Sequence, residues 1–182
     1  MENTILNYKN AIINSMDFLG KDPSIIFVGY NIKKESAAND TLKNIDSNKL
    51  FETPVAENLM LSMAIGLSIE NYIPVVFFER FDFILNAMDA LVNHLDKIKI
   101  ISQGEYNPKV IIRIVVGGRK KPFFTGLTHI QDFTENIKSF VSFPVYKLPL
   151  SYTGICDIYK NALISNESTI IIEEKDLYDE QV

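Results

Sequence analysis

The chain has one cysteine, Cys156, two histidines, His94 and His129, and no tryptophan. A single thiol cannot close an internal disulfide or build a cysteine-based zinc centre. Two histidines also argue against a His-rich catalytic metal site. Walker A, G-x-G-x-x-G, G-x-S-x-G and H-E-x-x-H patterns are all missing, and with them the self-contained nucleotide, serine-hydrolase and zinc-peptidase signatures. Long apolar runs are scarce. The most apolar stretch, 59–69, is too short to span a bilayer, contains Ser62 and Ser68, and runs straight into Glu70. Met1-Glu2-Asn3-Thr4 lacks the basic-then-apolar order of a secretory leader. Basic charge is in deficit, with 18 Lys and Arg against 23 Asp and Glu, which argues against a nucleic-acid partner. The one basic cluster, Arg119-Lys120-Lys121, sits beside Gly117-Gly118 and reads as a solvated loop. Together these absences predict a cytoplasmic protein with neither a membrane nor a nucleic-acid role.

What is present is enough apolar material for a core. The 182 residues are 47% apolar and 23% charged, which predicts one globular domain over 1–182. Helix-like and strand-like segments alternate. Residues 3–19 place Ile5, Leu6, Ile12, Ile13, Met16 and Leu19 at helical spacing, with Gly20 as a stop. Residues 24–29 are continuously apolar, as in a strand covered on both faces. Residues 33–50 are polar and read as a loop with a short amphipathic turn. Thr53-Pro54 has the chemistry of a helix start, and a helix through Leu67 is expected. Strands are expected at 75–78, 110–116, 143–148 and 169–172. Further helices are expected at 83–100, 131–141 and 152–164. Leu85, Ala87, Ala90 and Val92 make the 83–100 segment apolar on more than one side, so it is expected to be covered on more than one side. Alternating strands and helices predict an α/β fold, a mostly parallel sheet with helices on both faces. Ligands in such sheets sit beyond the carboxyl ends of the strands. There Glu57, the 79–83 turn and the 117–129 loop should meet.

Five pieces of sequence carry chemistry when taken in order. They are Phe51-Glu52-Thr53-Pro54-Val55-Ala56-Glu57, Ala64-Ile65-Gly66-Leu67, Pro74-Val75-Val76, Phe81-Asp82-Phe83, and Ala87-Met88-Asp89-Ala90-Leu91-Val92-Asn93-His94. On the residues alone, Glu57 is a first-turn carboxylate stabilised by the helix dipole. Phe81 is a core residue, His129 a loop histidine, and Cys156 a semi-buried helical thiol.

The ordered set resembles the β subunit of the E1 component of thiamine-diphosphate-dependent 2-oxo acid dehydrogenases. That family reads D-T-P-I-x-E, then A-x-G-x-A-x-x-G-x-x-P-V, F-x-F, and A-x-D-Q-I-x-N-x-A-A-K. The resemblance runs from Asn3 to about Tyr178. The same pyrimidine-binding domain occurs in transketolases. The resemblance implies that Glu57 is catalytic, its carboxyl hydrogen-bonding the cofactor's pyrimidine nitrogen and driving its tautomerisation. It implies that Phe83 packs on the pyrimidine ring, with Glu79 at the same cofactor pocket, and that His129 faces substrate. Leu59, Phe81 and Phe83 are expected to shelter Glu57.

Three departures from the family pattern lie on the substrate side. Gly29-Tyr30-Asn31 replaces G-E-D/E, a basic loop at 117–121 replaces Gly-Pro-Asn-Gly, and Thr128 and Ile130 flank His129 in place of Gln and Ser. Glu79-Arg80 is also more charged than usual. No G-D-G…N-N pattern, which binds magnesium and the diphosphate in the family, occurs here. The resemblance therefore implies an α-like partner chain that carries Mg2+ and the diphosphate half. A heterodimer or heterotetramer is expected, or a self-dimer in isolation, with the 83–100 segment as the interface. Relatives continue into a carboxyl-terminal domain, and its absence favours non-oxidative decarboxylation or ketol transfer over oxidative acyl transfer. The alternative expectation is a non-catalytic scaffold or partner subunit that keeps the fold. A standalone nucleotide-binding domain is a third.

Overall fold

A computed structural model of the chain describes residues 6–33, 37–122 and 126–182. Ile5, expected in the first helix, lies outside the described residues. Six strands form: β1 (Ile25–Gly29), β2 (Leu50–Glu52), β3 (Ile73–Phe78), β4 (Ile111–Val116), β5 (Val145–Lys147) and β6 (Thr169–Glu174). They join into one sheet in the order β2-β1-β3-β4-β6-β5, and every ladder is parallel. The continuous apolar runs occupy the four central places, where both faces are covered. The two three-residue strands take the edges, where a short strand limits unwanted pairing. Pro144 precedes edge strand β5, and its carbonyl accepts from Ile170 N–H.

Helices cover both faces. On one side lie α1 (Tyr8–Leu19) and α5 (Tyr152–Ile164), packed against each other. On the other lie α2 (Glu57–Ile69), a helical segment from Phe81 to Leu95, and α4 (Thr134–Phe140). α3 (Ile98–Ile101) ends the crossover between β3 and β4. Side-chain alternation along each strand divides the core. Ile111 and Val115 join the α1/α5 side, whereas Ile112, Ile114 and Val116 join the α2 side. Local chemistry sets the helix ends. The Asn7 side chain accepts from Asn10 N–H at 2.8 Å, so α1 begins at Tyr8. The Ser151 side chain accepts from Gly154 N–H and starts α5 where the sequence predicts it.

Three elements depart from expectation. Thr53 does not cap a helix, because its N–H donates to the Gly29 carbonyl at 2.9 Å and prolongs the β1–β2 pairing. Pro54 reinforces this by favouring extended backbone before it, and α2 starts at Glu57 after Ala56. The helix expected over 83–100 is three pieces: a 3-10 segment (Phe81–Ala87), a π segment (Asp89–Leu95), and α3. Phe81, Ile84, Ala87 and Ala90 are all fully buried. The spacing of three puts Phe81, Ile84 and Ala87 on one line of a helix with three residues per turn, and Ala90 follows in the π segment. The Asn58 side chain accepts from Ala90 N–H, where the winding changes. Leu85, expected to be covered, is half exposed. Lastly, β2 forms at the end of the polar stretch, with Leu50 as its one buried residue.

The α1/α5 face also holds a charged centre. Arg113 on β4 and Glu173 on β6 are both fully buried and meet at 2.7 Å. Glu173 also accepts from the hydroxyls of Tyr159 and Tyr178, each at 2.7 Å. Arg113 donates to Thr41 Oγ1 at 3.1 Å and lies 5.0 Å from the Phe77 ring centroid. Burial opposes the charge on Arg113, but the charge and hydrogen bond of Glu173, together with Tyr159 and Tyr178, outweigh it and hold the guanidinium firmly protonated. Breaking such a pair from one side leaves a buried charge uncompensated, at a cost of about 3–5 kcal/mol.

Two predictions follow from this centre. Glu173→Ala is expected to destabilise the chain by about that amount in urea denaturation. Adding Arg113→Met should recover part of the loss; a double variant less stable than Glu173→Ala would contradict this account. Burial first, and then the charge of Glu173, pushes the phenols of Tyr159 and Tyr178 up; burial also raises Tyr8. A raised folded-state pKa stabilises fully below the unfolded value of about 10 and is lost as pH rises through the folded value. Stability should therefore fall above pH about 10, by up to about 1.4 kcal/mol per pH unit for each tyrosine. Tyr178→Phe should reduce that slope by one proton in denaturation midpoints measured from pH 9 to 11.

Candidate functional site

The chain passes from β1 outward to β2, then returns across β1 to β3 on its other side. That reversal opens a crevice at the carboxyl ends of β1 and β3. Tyr30 after β1, Glu79–Phe83 after β3, the loop after β4 and the start of α2 gather there.

Glu57 is the first residue of α2 and is only 7% exposed. Asn86 Nδ2 approaches its Oε2 at 3.4 Å, which links α2 to the 3-10 segment. Leu59, expected to shelter Glu57, is half exposed instead. Phe81 is fully buried and meets Phe133 edge-to-face at 5.8 Å, in line with a core role. Phe83 is half buried and meets the His129 ring edge-to-face at 5.2 Å. Two of the predicted residues, 46 positions apart, are thus in direct contact.

His129 is placed by its backbone as well. Its N–H donates to the Gly126 carbonyl at 2.9 Å, and Thr128 Oγ1 lies 3.0 Å from its Nδ1. Its carbonyl oxygen lies where a Cβ on Gly117 would be, so the loop closes over β4 only because residue 117 is glycine. Residues 123–125 of this loop lie outside the described residues.

Glu79 is coupled to its neighbour. Arg80 Nη1 donates to the Glu79 carbonyl at 2.6 Å and lies 3.6 Å from its carboxylate. Tyr30 registers the local charges. Burial pushes its phenol up, Glu79 and Glu57 push it further, and Arg80 opposes them. These four residues therefore act on one small region. The turn after β1 is held by Glu52, whose carboxylate accepts from the N–H groups of Asn31, Ile32 and Lys33.

The predicted site residues thus gather at one edge of the sheet. Residues without a sequence-level assignment join them: Asn86 on Glu57, Glu52 under the β1 turn, and Asp82, whose Oδ1 accepts from Gln131 Nε2 at 2.7 Å. The available signal for Asp82 was a carboxylate between two phenylalanines. Nothing in the spacing points to Gln131. Part of the basic cluster Arg119-Lys120-Lys121 is tied to acidic groups. Asp176 accepts from the Arg119 and Lys120 backbone, and Lys120 pairs with Glu180 at 3.0 Å. His94 lies 3.3 Å from Asp89 on an exposed surface, and Cys156 is half buried in α5. Among the described residues, no group of three or more His, Cys, Asp or Glu could hold a metal ion, and no helix is long and apolar enough to cross a membrane.

No family model matches the chain. Individual relatives do. The pyruvate dehydrogenase E1 component subunit beta of Mycoplasma genitalium is 25% identical over 178 residues, covering 95% of this chain and 53% of that protein. The mitochondrial subunit of the same name from Saccharomyces cerevisiae is 24% identical, covering 96% and 48%. The 3-methyl-2-oxobutanoate dehydrogenase subunit beta of Mycobacterium tuberculosis is 26% identical over 127 residues, covering 66% and 34%. The chain thus spans about half the length of the pyruvate dehydrogenase subunits it matches. Among solved structures, a split-gene transketolase described as an inactive β4 tetramer superposes with a TM-score of 0.72 at 17% identity, covering 93% of this chain and 52% of that one. A putative thiamin-diphosphate-dependent enzyme from Mycobacterium smegmatis gives 0.65 at 16% identity, covering 96% and 31%. In sequence the chain is thus similar to E1 β subunits along nearly its whole length, and its fold is shared with the split-gene transketolase and the putative thiamin-diphosphate-dependent enzyme.

Proposed function

We propose that residues 1–182 form a pyrimidine-binding domain, one half of a thiamine-diphosphate site in a heteromeric enzyme. The observation that carries this reading is Glu57. It is a carboxyl group buried at a helix start on the crevice, with Asn86 against one oxygen and Phe83 in contact with His129 nearby. This donor set suits an aminopyrimidine, which needs a carboxyl partner for a ring nitrogen and an aromatic surface for its face.

Thiamine diphosphate, when bound, supplies a thiazolium carbon that can lose its proton and attack a carbonyl. The chain's own residues do the rest. Glu57 holds a proton at the pyrimidine nitrogen; Asn86 engages Oε2, which leaves Oε1 for that contact. Phe83 packs on the ring, and Glu79, its charge offset by Arg80, borders the same pocket. His129 donates a hydrogen bond or a proton to the substrate. The reaction class is cleavage or formation of a carbon–carbon bond beside a carbonyl, either 2-oxo acid decarboxylation of the E1 type or transketolase-like ketol transfer.

An α-like partner with a G-D-G…N-N motif would supply Mg2+ and the diphosphate half, forming a heterodimer or heterotetramer. Around the crevice Val55, Leu59, Leu85 and Leu127 are 48–80% exposed. Apolar side chains gathered at one edge suit coverage by another chain. The structural neighbour described as an inactive β4 tetramer of a split-gene transketolase supports the same division of labour.

The test is to assemble the chain with such a partner and measure thiamine-diphosphate-dependent turnover. Glu57→Gln is expected to lower turnover by about 10²–10⁴-fold, the usual contribution of general acid–base catalysis. Undiminished activity would remove Glu57 from its role. Calorimetry that finds no cofactor binding in the assembled complex would favour the scaffold alternative.

A further inference from the structure

Three consecutive residues after β3 each engage an alternate residue of the loop that carries His129. Phe81 meets Phe133 edge-to-face at 5.8 Å, with an interplanar angle of 86°. The Asp82 carboxylate accepts from Gln131 Nε2 at 2.7 Å. Phe83 meets His129 edge-to-face at 5.2 Å and 87°. The two segments therefore run past each other in register, one residue on the first side for two on the second. The outer pairs are aromatic contacts, which tolerate sliding and tilt. The middle pair is a charge-assisted hydrogen bond, which is directional and selects one alignment.

The surroundings fix the lower end of the loop independently. Asp132 Oδ1 accepts from Thr134 N–H at 3.0 Å and starts α4, and Asp132 Oδ2 pairs with Lys147 on β5 at 2.9 Å. At the upper end, the His129 carbonyl rests against Gly117. Between these anchors the imidazole meets Thr128 Oγ1 within its own loop and Phe83 across the gap, and the Asp82–Gln131 bond is the hydrogen bond that joins the two segments beside it. Asp82 is 9% exposed, and its Oδ2 is buried with no hydrogen-bond partner. Buried carboxylate oxygens rarely stay unpaired, so the bond to Gln131 is the chief polar compensation for burying this charge.

We infer that Asp82 and Gln131 are positioning residues that set the register of the His129 loop and hold its imidazole against Phe83. The significance of that placement for turnover rests on the proposed function; the placement itself does not. The test reads the two histidine side chains by NMR in the full chain without cofactor. The Phe83 ring current should displace the His129 imidazole proton resonances from ordinary values, with the exposed His94 as internal reference. Gln131→Ala removes an exposed side chain and should leave the fold intact. It is expected to abolish most of the His129 displacement while His94 stays in place. Asp82→Ala should do the same. Asp82→Asn, whose amide oxygen still accepts from Gln131, should preserve the displacement. Unchanged His129 resonances in Gln131→Ala would overturn the inference, as would equal loss in Asp82→Asn and Asp82→Ala. Failure of the Glu57 assignment would leave all of these readouts unaltered.

Discussion

The ion pair between Arg113 and Glu173 sits at the centre of the sheet with both groups out of reach of water. Two charges so placed require hydrogen-bond partners from every direction, because each unpaired polar group in a low-dielectric interior is costly. The partners come from distant parts of the chain: Thr41 from the crossover after β1, Tyr159 from α5, and Tyr178 from the end of the chain. Tyr8, on α1, stacks on Tyr178 at 6.1 Å and accepts from Glu174 N–H at 3.2 Å. One polar demand thus ties together the elements on the α1/α5 face. Arg113 Nη1 is left without a partner, so this network is paired closely but not completely.

The strands carry no buried ion pair toward the opposite face. Side-chain alternation in β4 and β6 directs Arg113 and Glu173 one way, and Ile112, Ile114, Ile170 and Ile172 the other. The α2 side is therefore a dry apolar bed on which α2 and the 81–95 segment rest. These are the elements that bring Glu57, Asn86 and Phe83 to the carboxyl edge. A site built on packed apolar elements is held more firmly than one built on loops. His129 is the exception, since it rides on a loop. It accordingly needs the backbone contact at Gly117 and the paired contacts with 81–83 to reach the same edge.

How far these features could be read from the residues depended on their range. The limits of α5 were legible because Ser151 caps it locally and its apolar spacing is regular. The central strands were legible as unbroken β-branched runs. The segment after β3 was misread as one α-helix, since its apolar residues at 84, 88, 91, 95 and 98 also fit a 3.6 period. The core takes up that stripe and also the line 81, 84, 87 and 90, so burial alone did not reveal the change of winding. Strand β2 had too few residues for any pattern. Within the site, Glu57 and Phe83 were found through an ordered set of motifs, which carries spatial information that periodicity does not. Arg113 passed as an interruption in an apolar strand, because its partner lies 60 residues away and no local spacing connects them. The same holds for Asp82 and Gln131, 49 residues apart.

The charge pattern at the crevice bears on which substrates such a site would take. Where the family pattern has an acidic residue after the first strand, this chain has Tyr30. Where the family is less charged after the third strand, it has Glu79 and Arg80. The structure brings these changes together, since Tyr30 feels Glu79, Glu57 and Arg80 at once. Arg80 lies along Gly117, beside the loop whose sequence also departs from the pattern. Relative to that pattern, a carboxylate has been exchanged for a phenol, and a guanidinium paired with Glu79 has been added. Meanwhile Glu57, Phe83 and His129 stand where the pattern has its carboxyl, aromatic and histidine. On the function proposed above, such a site would keep its reaction class and change what is recognised, because recognition of a polar substrate follows the charges it must pair with.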